Sequence, residues 1–170
     1  MMKVNWLLFL CCSLVYLKLS SACDGFKFKF NSIDNCGGKG QIVTVDSNFT
    51  SSINKKCEVI TSGCVSSKGF KEAKAKYTVY KNGMAIMTGT PDLCSEIEIH
   101  KEAKVPLEMV GFPTACPIEK GRKCVDGTKK FDVAKFRKYL TMARGKIAVD
   151  TEITHDTGSS CFKVEFEIFK

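Results

Sequence analysis

Eight of the ten cysteines lie between Cys23 and Cys161, and they constrain this chain more than any other feature. An even number of cysteines in a secreted chain predicts a framework of disulfide bonds, which persists in an oxidising compartment. Cysteines held in disulfides are poor candidates for metal ligands or nucleophiles. Eight cysteines allow on the order of a hundred pairings, so their number leaves the connectivity open.

The first residues have the layout of a secretory signal peptide. Lys3 precedes an apolar run over residues 4–17, and Ser20 and Ala22 supply small residues at a cleavage site before Cys23. The run is shorter than the roughly 20 apolar residues that a transmembrane helix needs. A lipid-anchored Cys23 is the alternative, and Ser20 fits it poorly because a bacterial lipidation motif has Leu there.

Cleavage at this site divides the chain into a signal peptide over 1–22 and one domain over 23–170, which is long enough to have its own core. We therefore expect a soluble protein that is secreted to the extracellular space. A lysosomal or endosomal lumen is the alternative location.

Most of the domain alternates apolar and polar residues with a period of two, as β-strands with one buried face do. The pattern covers residues 26–30, 75–79, 97–99, 147–153 and 162–168. Asn82-Gly83 and the stretch 155–158 predict hairpin turns between such segments. The fold class predicted is all-β, an immunoglobulin-like sandwich of two antiparallel sheets. Residues 131–140 also fit a helical spacing, and their pattern leaves a helical turn and a basic loop both open.

Positive charge is concentrated in one part of a chain whose formal net charge is +8. Ten Lys and Arg residues lie in the segment Lys120–Lys146, where Asp126 and Asp132 are the acidic residues. Such a segment attracts anionic lipid, glycan or nucleic acid, or is merely a solvated face. A secreted chain without a nucleic-acid reader motif favours contact with an anionic membrane surface and no nucleic-acid partner.

The residues that usually carry catalysis are sparse. His100 and His155 have no cysteine or carboxylate neighbours at metal-ligand spacing, and we interpret both as surface or strand-edge residues. No nucleophile elbow and no phosphate-binding glycine loop is present. We expect a binding protein that has no enzymatic activity, metal or cofactor. Asn48 begins an Asn-Phe-Thr glycosylation motif.

Four short motifs, in this order, resemble the ML family of secreted lipid-recognition domains. They are Asp34-Asn35-Cys36, the short segment between Cys57 and Cys64, the stretch Cys-Pro-Ile-Glu-Lys-Gly over 116–121, and Cys161 on the last strand. The family includes the ganglioside activator protein, the Niemann–Pick sterol carrier and the group 2 mite allergens. The resemblance covers essentially all of residues 23–170.

The resemblance implies a specific set of disulfides. It pairs Cys36 with Cys161, Cys57 with Cys64 and Cys94 with Cys116, and it leaves Cys23 to pair with Cys124. The long spacing from Cys94 to Cys116 is more like the ganglioside activator than the sterol carrier, which leaves the class of lipid open.

The resemblance also implies that the two sheets enclose an apolar cavity. Its wall would be formed by Tyr77, Val79, Ile97, Ile99, Val149, Ile153, Val164 and Phe166. Its rim would be formed by Val105, Leu107, Met109 and Phe112. The alternative for each of these residues is an ordinary packed core, because periodicity does not distinguish cavity lining from packing.

Three functions follow from these observations. The first is a secreted carrier that holds and transfers a sterol, fatty acid or glycolipid, with a receptor or lipid-acceptor protein as a possible partner. The second is an innate-immune recognition protein for microbial lipid. The third is a disulfide-rich protease inhibitor with a packed core.

Overall fold

A computed structural model describes residues 22–101 and 104–170. The strands are β1 Lys27–Asn35, β2 Val43–Val45, β3 Thr50–Ile53, β4 Glu58–Ser67, β5 Ala73–Lys81, β6 Met84–Gly89, β7 Gly121–Asp132, β8 Gly145–His155 and β9 Gly158–Phe169. The α-helices are α1 Leu93–Ile99, α2 Lys104–Met109 and α3 Arg137–Met142, and short 3-10 helices cover Ala22–Gly25 and Ala134–Phe136.

These strands form two antiparallel sheets. The larger has the order β1-β9-β8-β5-β6, and the smaller is built on β4, which pairs with β2 and β3 along one edge and with β7 along the other. Four disulfides cross-link the domain. The predicted all-β, disulfide-stapled arrangement of two antiparallel sheets is confirmed.

Polar contacts join the two sheets along the β1 and β9 side. The Asn35 side chain at the end of β1 donates to the carbonyl of Val45 (2.7 Å) and accepts from its amide (2.9 Å). The amide of Val43 on β2 donates to the Ser160 hydroxyl on β9 (2.9 Å). At the other end of β1, the Cys23–Cys57 disulfide ties the start of the domain to the start of β4. This side of the sandwich is therefore closed at both ends.

The hydrophobic core lies beside this closed side. It combines Val45 and Val65 of the smaller sheet, and Phe49 just before β3, with Ala73 and Phe162 of the larger sheet. Gly63 is required here because its φ is +134° and an added Cβ would lie 2.7 Å from the Phe49 Cα.

Two of the four implied disulfides are present, and two are wrong. Cys36–Cys161 and Cys94–Cys116 form as expected, whereas Cys57 pairs with Cys23, and Cys64 pairs with Cys124. The reason is that β4 begins at Glu58, directly after Cys57, and runs in extended conformation through Cys64. At about 3.3 Å per residue the two cysteines are roughly 23 Å apart, far beyond the ~7 Å that a disulfide spans. Cys64 instead lies directly opposite Cys124 on β7.

Both predicted hairpins are present. Asn82 and Gly83 have positive φ (50° and 83°) in the turn from β5 to β6, as an Asn-Gly turn requires. The predicted strand at 97–99 is wrong: Ile97 and Ile99 belong to α1, whose first turn is capped by Asp92 accepting from the Ser95 amide (3.1 Å). Residues 131–140 end β7 and then become helical, with α3 beginning at Arg137.

The signal peptide predicted for 1–22 lies almost entirely outside the described residues. Within the described ranges, the helices are too short and too polar to cross a bilayer.

Candidate functional site

The inner face of the larger sheet is buried at both ends and only half-buried in the middle. On β9, Phe162 and Ile168 are buried, whereas Val164 and Phe166 between them are half-buried. On β8, Ile147 and Ile153 are buried and Val149 is half-buried. Side chains on one face of a packed sandwich stay buried along the whole strand. The smaller sheet therefore does not fully cover the middle of this face.

An apolar row crosses the half-buried region. Val79 on β5 is opposite Val149 on β8, Val149 is opposite Val164 on β9, and Val164 is opposite Ile33 on β1. Phe166 lies one step along the same face and contacts Phe28 at a ring separation of 5.3 Å. This row of four aliphatic residues is the floor of the candidate site, and it carries no charge.

The edge strand β6 forms one side of the site, although none of its residues was predicted to lie there. Met87 lies opposite Val79 and close to the Tyr77 hydroxyl (3.7 Å from its sulfur). Met84, Ile86 and Met87 are large apolar residues that are more than half exposed. The register of β6 shifts between Met87 and Ala85, so Ile86 is an extra residue in the strand. A bulge of this kind discourages pairing with another strand, so these apolar side chains stay exposed at the edge of the sheet.

The helix α3 stands at the end of the site next to the β5–β6 hairpin. The Lys81 ammonium donates to the Met142 carbonyl (2.7 Å), and the Asn82 side chain accepts from the Lys146 amide (2.9 Å). Met142 is 72% exposed and Met84 is 70% exposed. The end of the site therefore combines exposed methionines with basic residues.

The segment between β6 and β7 contains the predicted rim. Helix α1 packs against β5 and α2 packs against β7, so the segment crosses from one sheet to the other. Val105 is exposed and Leu107 is half-buried. Phe112 packs against the core and meets the Phe162 ring edge-on at 6.4 Å, which makes it part of the packed end of the domain. The Met109 side chain lies outside the described residues.

The structure thus brings together five of the eight predicted wall residues. Tyr77, Val79, Val149, Val164 and Phe166 share the half-buried part of the inner face. Ile153 is on the same face but belongs to the buried core. Ile97 and Ile99 are not on this face because they are helical, and Ile99 is 70% exposed. That these residues line an enclosed cavity stays a prediction.

The basic segment Lys120–Lys146 is less unopposed than its sequence indicates. Arg122 is paired with Asp46, Lys129 lies 3.7 Å from Glu108 and Lys130 lies 3.8 Å from Glu58. The acidic partners come from the residue after β2, from α2 and from β4, which folding places beside β7. Exposed pairs of this kind contribute about 0–1 kcal/mol each, but they reduce the excess positive charge.

His155 is buried, with 7% of its surface exposed, so the expectation of a surface residue is wrong. It ends β8, its Nε2 lies 2.9 Å from the Ser160 hydroxyl, and the Phe70 ring covers it at 4.3 Å. Its Nδ1 has no hydrogen-bond partner among the described residues. Burial lowers the pKa of His155, and the neighbouring Asp156 carboxylate only partly opposes this effect.

We expect acid to destabilise the domain through His155. Because the pKa of His155 is lower in the folded chain than in the unfolded chain, the unfolded chain binds a proton first as the pH falls below about 6.5. The free energy of unfolding therefore keeps its full value above about pH 6.5 and decreases progressively down to the folded-state pKa of His155. A tenfold difference in proton affinity corresponds to about 1.4 kcal/mol. Chemical denaturation between pH 7.5 and 5 measures the loss.

The variant His155→Gln should flatten this pH dependence, because it removes the titrating ring. Thr154→Gln, which places the same side chain on the exposed outer face of β8, is the matched control and should retain it. Equal slopes in wild type and His155→Gln would contradict the assignment. Hydrogen bonds with Thr128 lower the pKa of Asp126, and a hydrogen bond with the Lys71 amide lowers the pKa of Asp156. Both carboxylates affect stability below about pH 4, outside the pH range over which His155 acts.

Within the described residues, no group of three or more His, Cys, Asp or Glu side chains lies together as metal ligands would.

No protein-family model matches the chain. The chain is 32% identical over 174 residues to sporozoite-associated mosquito saliva protein 1 of Anopheles gambiae, covering 98% of this chain and 96% of that protein. The chain belongs to the family of this salivary protein.

Two solved structures are distantly similar to this chain. Chicken MD-1 complexed with lipid IVa gives a TM-score of 0.37 at 8% identity, over 84% of this chain and 98% of that one. A Niemann-Pick type C2 protein from Japanese carpenter ant gives 0.31 at 16% identity, over 82% and 90%.

Proposed function

We propose that this protein is a non-enzymatic, secreted lipid carrier that holds an acyl chain or sterol against the apolar row of the larger sheet. The observation that carries the proposal is the half-buried middle of an otherwise buried face. An uncharged row of Val79, Val149 and Val164 would gain about 0.8 kcal/mol for each methylene group that a ligand buries on it. A chain of ten methylenes would thus gain several kcal/mol.

The mouth of the site is proposed to lie between β6 and α3. Exposed Met84 and Met142 provide an adaptable apolar surface there, because methionine side chains are flexible and polarisable. Lys81 and Arg144 lie around the same end, where they suit an anionic headgroup such as a carboxylate or phosphate. A fatty acid or an acidic glycolipid fits this combination better than a neutral sterol.

Membership of the ML family is part of the proposal. It is supported by the two antiparallel sheets and by the Cys36–Cys161 and Cys94–Cys116 disulfides, which the family pattern implies. Secretion is supported by the disulfides, by the apolar run over 4–17 and by membership of a family that includes a saliva protein. Asn48 is exposed, as glycosylation requires.

Contact with an anionic membrane is proposed for the same mouth rather than for the whole basic segment, because three of the cations in that segment are paired with acidic residues. The exposed methionines would enter the bilayer surface while Lys81 and Arg144 meet the headgroups. Each such cation contributes about 1 kcal/mol near an anionic surface.

Extraction of the purified secreted protein with organic solvent, followed by mass spectrometry, tests the proposal. We expect a stoichiometric lipid with an acyl chain or sterol ring, and transfer of that lipid from anionic vesicles that slows as salt is raised. Recovery of no lipid, together with no uptake of a fluorescent fatty acid by the delipidated protein, would contradict the carrier function and favour a packed domain.

A further inference from the structure

A second candidate site lies on the outer face of the smaller sheet, which points away from the larger sheet. It is a pocket of about 290 Å³ beside the end of β2. Thr44 and Ser66, which line it, are directly opposite each other on β2 and β4. Their neighbours Val43, Val45 and Val65 point into the core, so Thr44 and Ser66 point outwards, because successive side chains of a strand alternate between faces.

The pocket presents donors for an anion. Lys39, Lys68 and Lys120 line it, and none of its nine lining residues is acidic. The Ser67 hydroxyl oxygen accepts from the Gly69 amide (3.0 Å), which leaves its proton free to be donated. Asp46, which follows β2, is paired with Arg122. Three lysines and the outward-pointing hydroxyl groups of Thr44 and Ser66 therefore line the pocket without an acidic residue beside them in its lining.

The loop that carries Lys39 is held rigidly. Gln41 is 2% exposed, and its amide nitrogen donates to Asn35 Oδ1 (2.8 Å) and to the Val43 carbonyl (2.7 Å). Its amide oxygen accepts from the Gly37 amide (3.0 Å). The Lys68 ammonium donates to the Gly40 carbonyl (2.9 Å), which fixes the loop from its other side. A pre-ordered site loses less entropy when a ligand binds.

The size and lining of the pocket define the ligand. A volume of about 290 Å³ is at the lower end for small-molecule sites, which suits one sugar ring rather than a lipid or a folded segment. Buried Ile42 supplies an apolar surface for the C–H face of such a ring. Ammonium and hydroxyl donors suit the oxygens of a sulfate or phosphate ester. We propose that this pocket binds a sulfated sugar of an extracellular glycan.

The position of the pocket favours a glycan over a phosphorylated lipid headgroup. The pocket lies next to β2, which packs on the β1 and β9 side of the larger sheet. The exposed methionines of β6 lie at the far edge of the larger sheet. Four strand spacings separate β6 from β1, which is roughly 19 Å. A protein docked on a bilayer through its mouth keeps this pocket in water, where a soluble polysaccharide reaches it. The choice of a glycan over a lipid headgroup rests on the proposed membrane-facing mouth, whereas the pocket and its lysines do not depend on lipid binding.

Titration of the ¹⁵N-labelled protein with a heparin-derived tetrasaccharide, followed by NMR and calorimetry, tests the site. We expect saturable shifts at Thr44, Ser66 and Gly121, and none with the desulfated tetrasaccharide. Removal of Lys68 and Lys120 by substitution with Ala should weaken binding at least about tenfold for each residue, because a hydrogen bond to a charged group is lost.

A matched control separates the pocket from general attraction by a basic protein. The double variant Lys76→Ala with Lys163→Ala changes the net charge equally on exposed residues of the larger sheet, and it should change affinity by less than about threefold. Gly121→Glu is a second test, since an added Cβ at Gly121 meets nothing within 4 Å and its carboxylate would compete for the lysines. It should abolish binding while thermal stability is retained.

Three results would overturn the proposal. They are equal weakening by the control variant, shifts confined to other basic residues such as Lys129 and Lys130, and binding of phosphoinositide vesicles without binding of the sulfated tetrasaccharide.

Discussion

Replacing Val164 by Asp should abolish lipid binding. Val164 lies in the middle of the apolar row, between Val149 and Ile33. An unpaired carboxylate in an apolar site costs several kcal/mol unless it is neutralised, and a ligand that covers it would remove its remaining water. We therefore expect the lipid recovered per mole of protein to fall at least about tenfold. The domain should lose some stability but should still fold, because Val164 is only half-buried.

The control for this variant is Thr154→Asp, which adds the same charge on the exposed outer face of β8. It should retain the wild-type lipid content and thermal stability within error. Undiminished lipid in Val164→Asp would show that the ligand does not lie against this row. Loss of lipid in both variants would indicate a general effect of charge instead.

The sequence predicted the floor of the site because hydrophobic alternation determines which face of each strand is buried. Val79, Val149 and Val164 were predicted on separate segments, and the antiparallel pairing of β5, β8 and β9 aligns them in one row. Ile97 and Ile99 were misassigned because an Ile-Glu-Ile triplet is too short to distinguish a strand from a helix. The cap provided by Asp92 was the local signal that favoured the helix.

The edge of the site was not predictable from alternation. Met84, Ala85, Ile86 and Met87 form an unbroken apolar run without a period, and the extra residue Ile86 changes the face to which Met87 points. The cysteine pairs failed for a related reason, since the implied Cys57–Cys64 bridge required a loop where this chain forms the continuous strand β4. Register and strand continuity depend on tertiary pairing, which a single sequence does not display.

Two phenylalanines on one strand provide the test that distinguishes an open site from a solid core. Phe162 and Phe166 point to the same face of β9, but Phe162 is 5% exposed in the core cluster and Phe166 is half-buried. Phe162→Ala should destabilise the domain by about 3–5 kcal/mol, as loss of a packed aromatic side chain does. Phe166→Ala should lower the free energy of unfolding by about 1–2 kcal/mol, because the Phe166 side chain buries less area than Phe162 and its main loss is the contact with Phe28.

The lipid recovered from the two variants should differ in the opposite sense. Phe166→Ala enlarges the space above the apolar row, so we expect a shift towards bulkier or longer ligands while binding is retained. Phe162→Ala opens a gap in the core beside Phe112 and should leave the ligand profile unchanged in whatever fraction folds. Denaturant unfolding and lipid mass spectrometry on both variants give the comparison. If the two variants are destabilised equally and their lipid is unaltered, Phe166 is packed by other side chains as tightly as Phe162. The sandwich would then be a solid core at this position and not an open site.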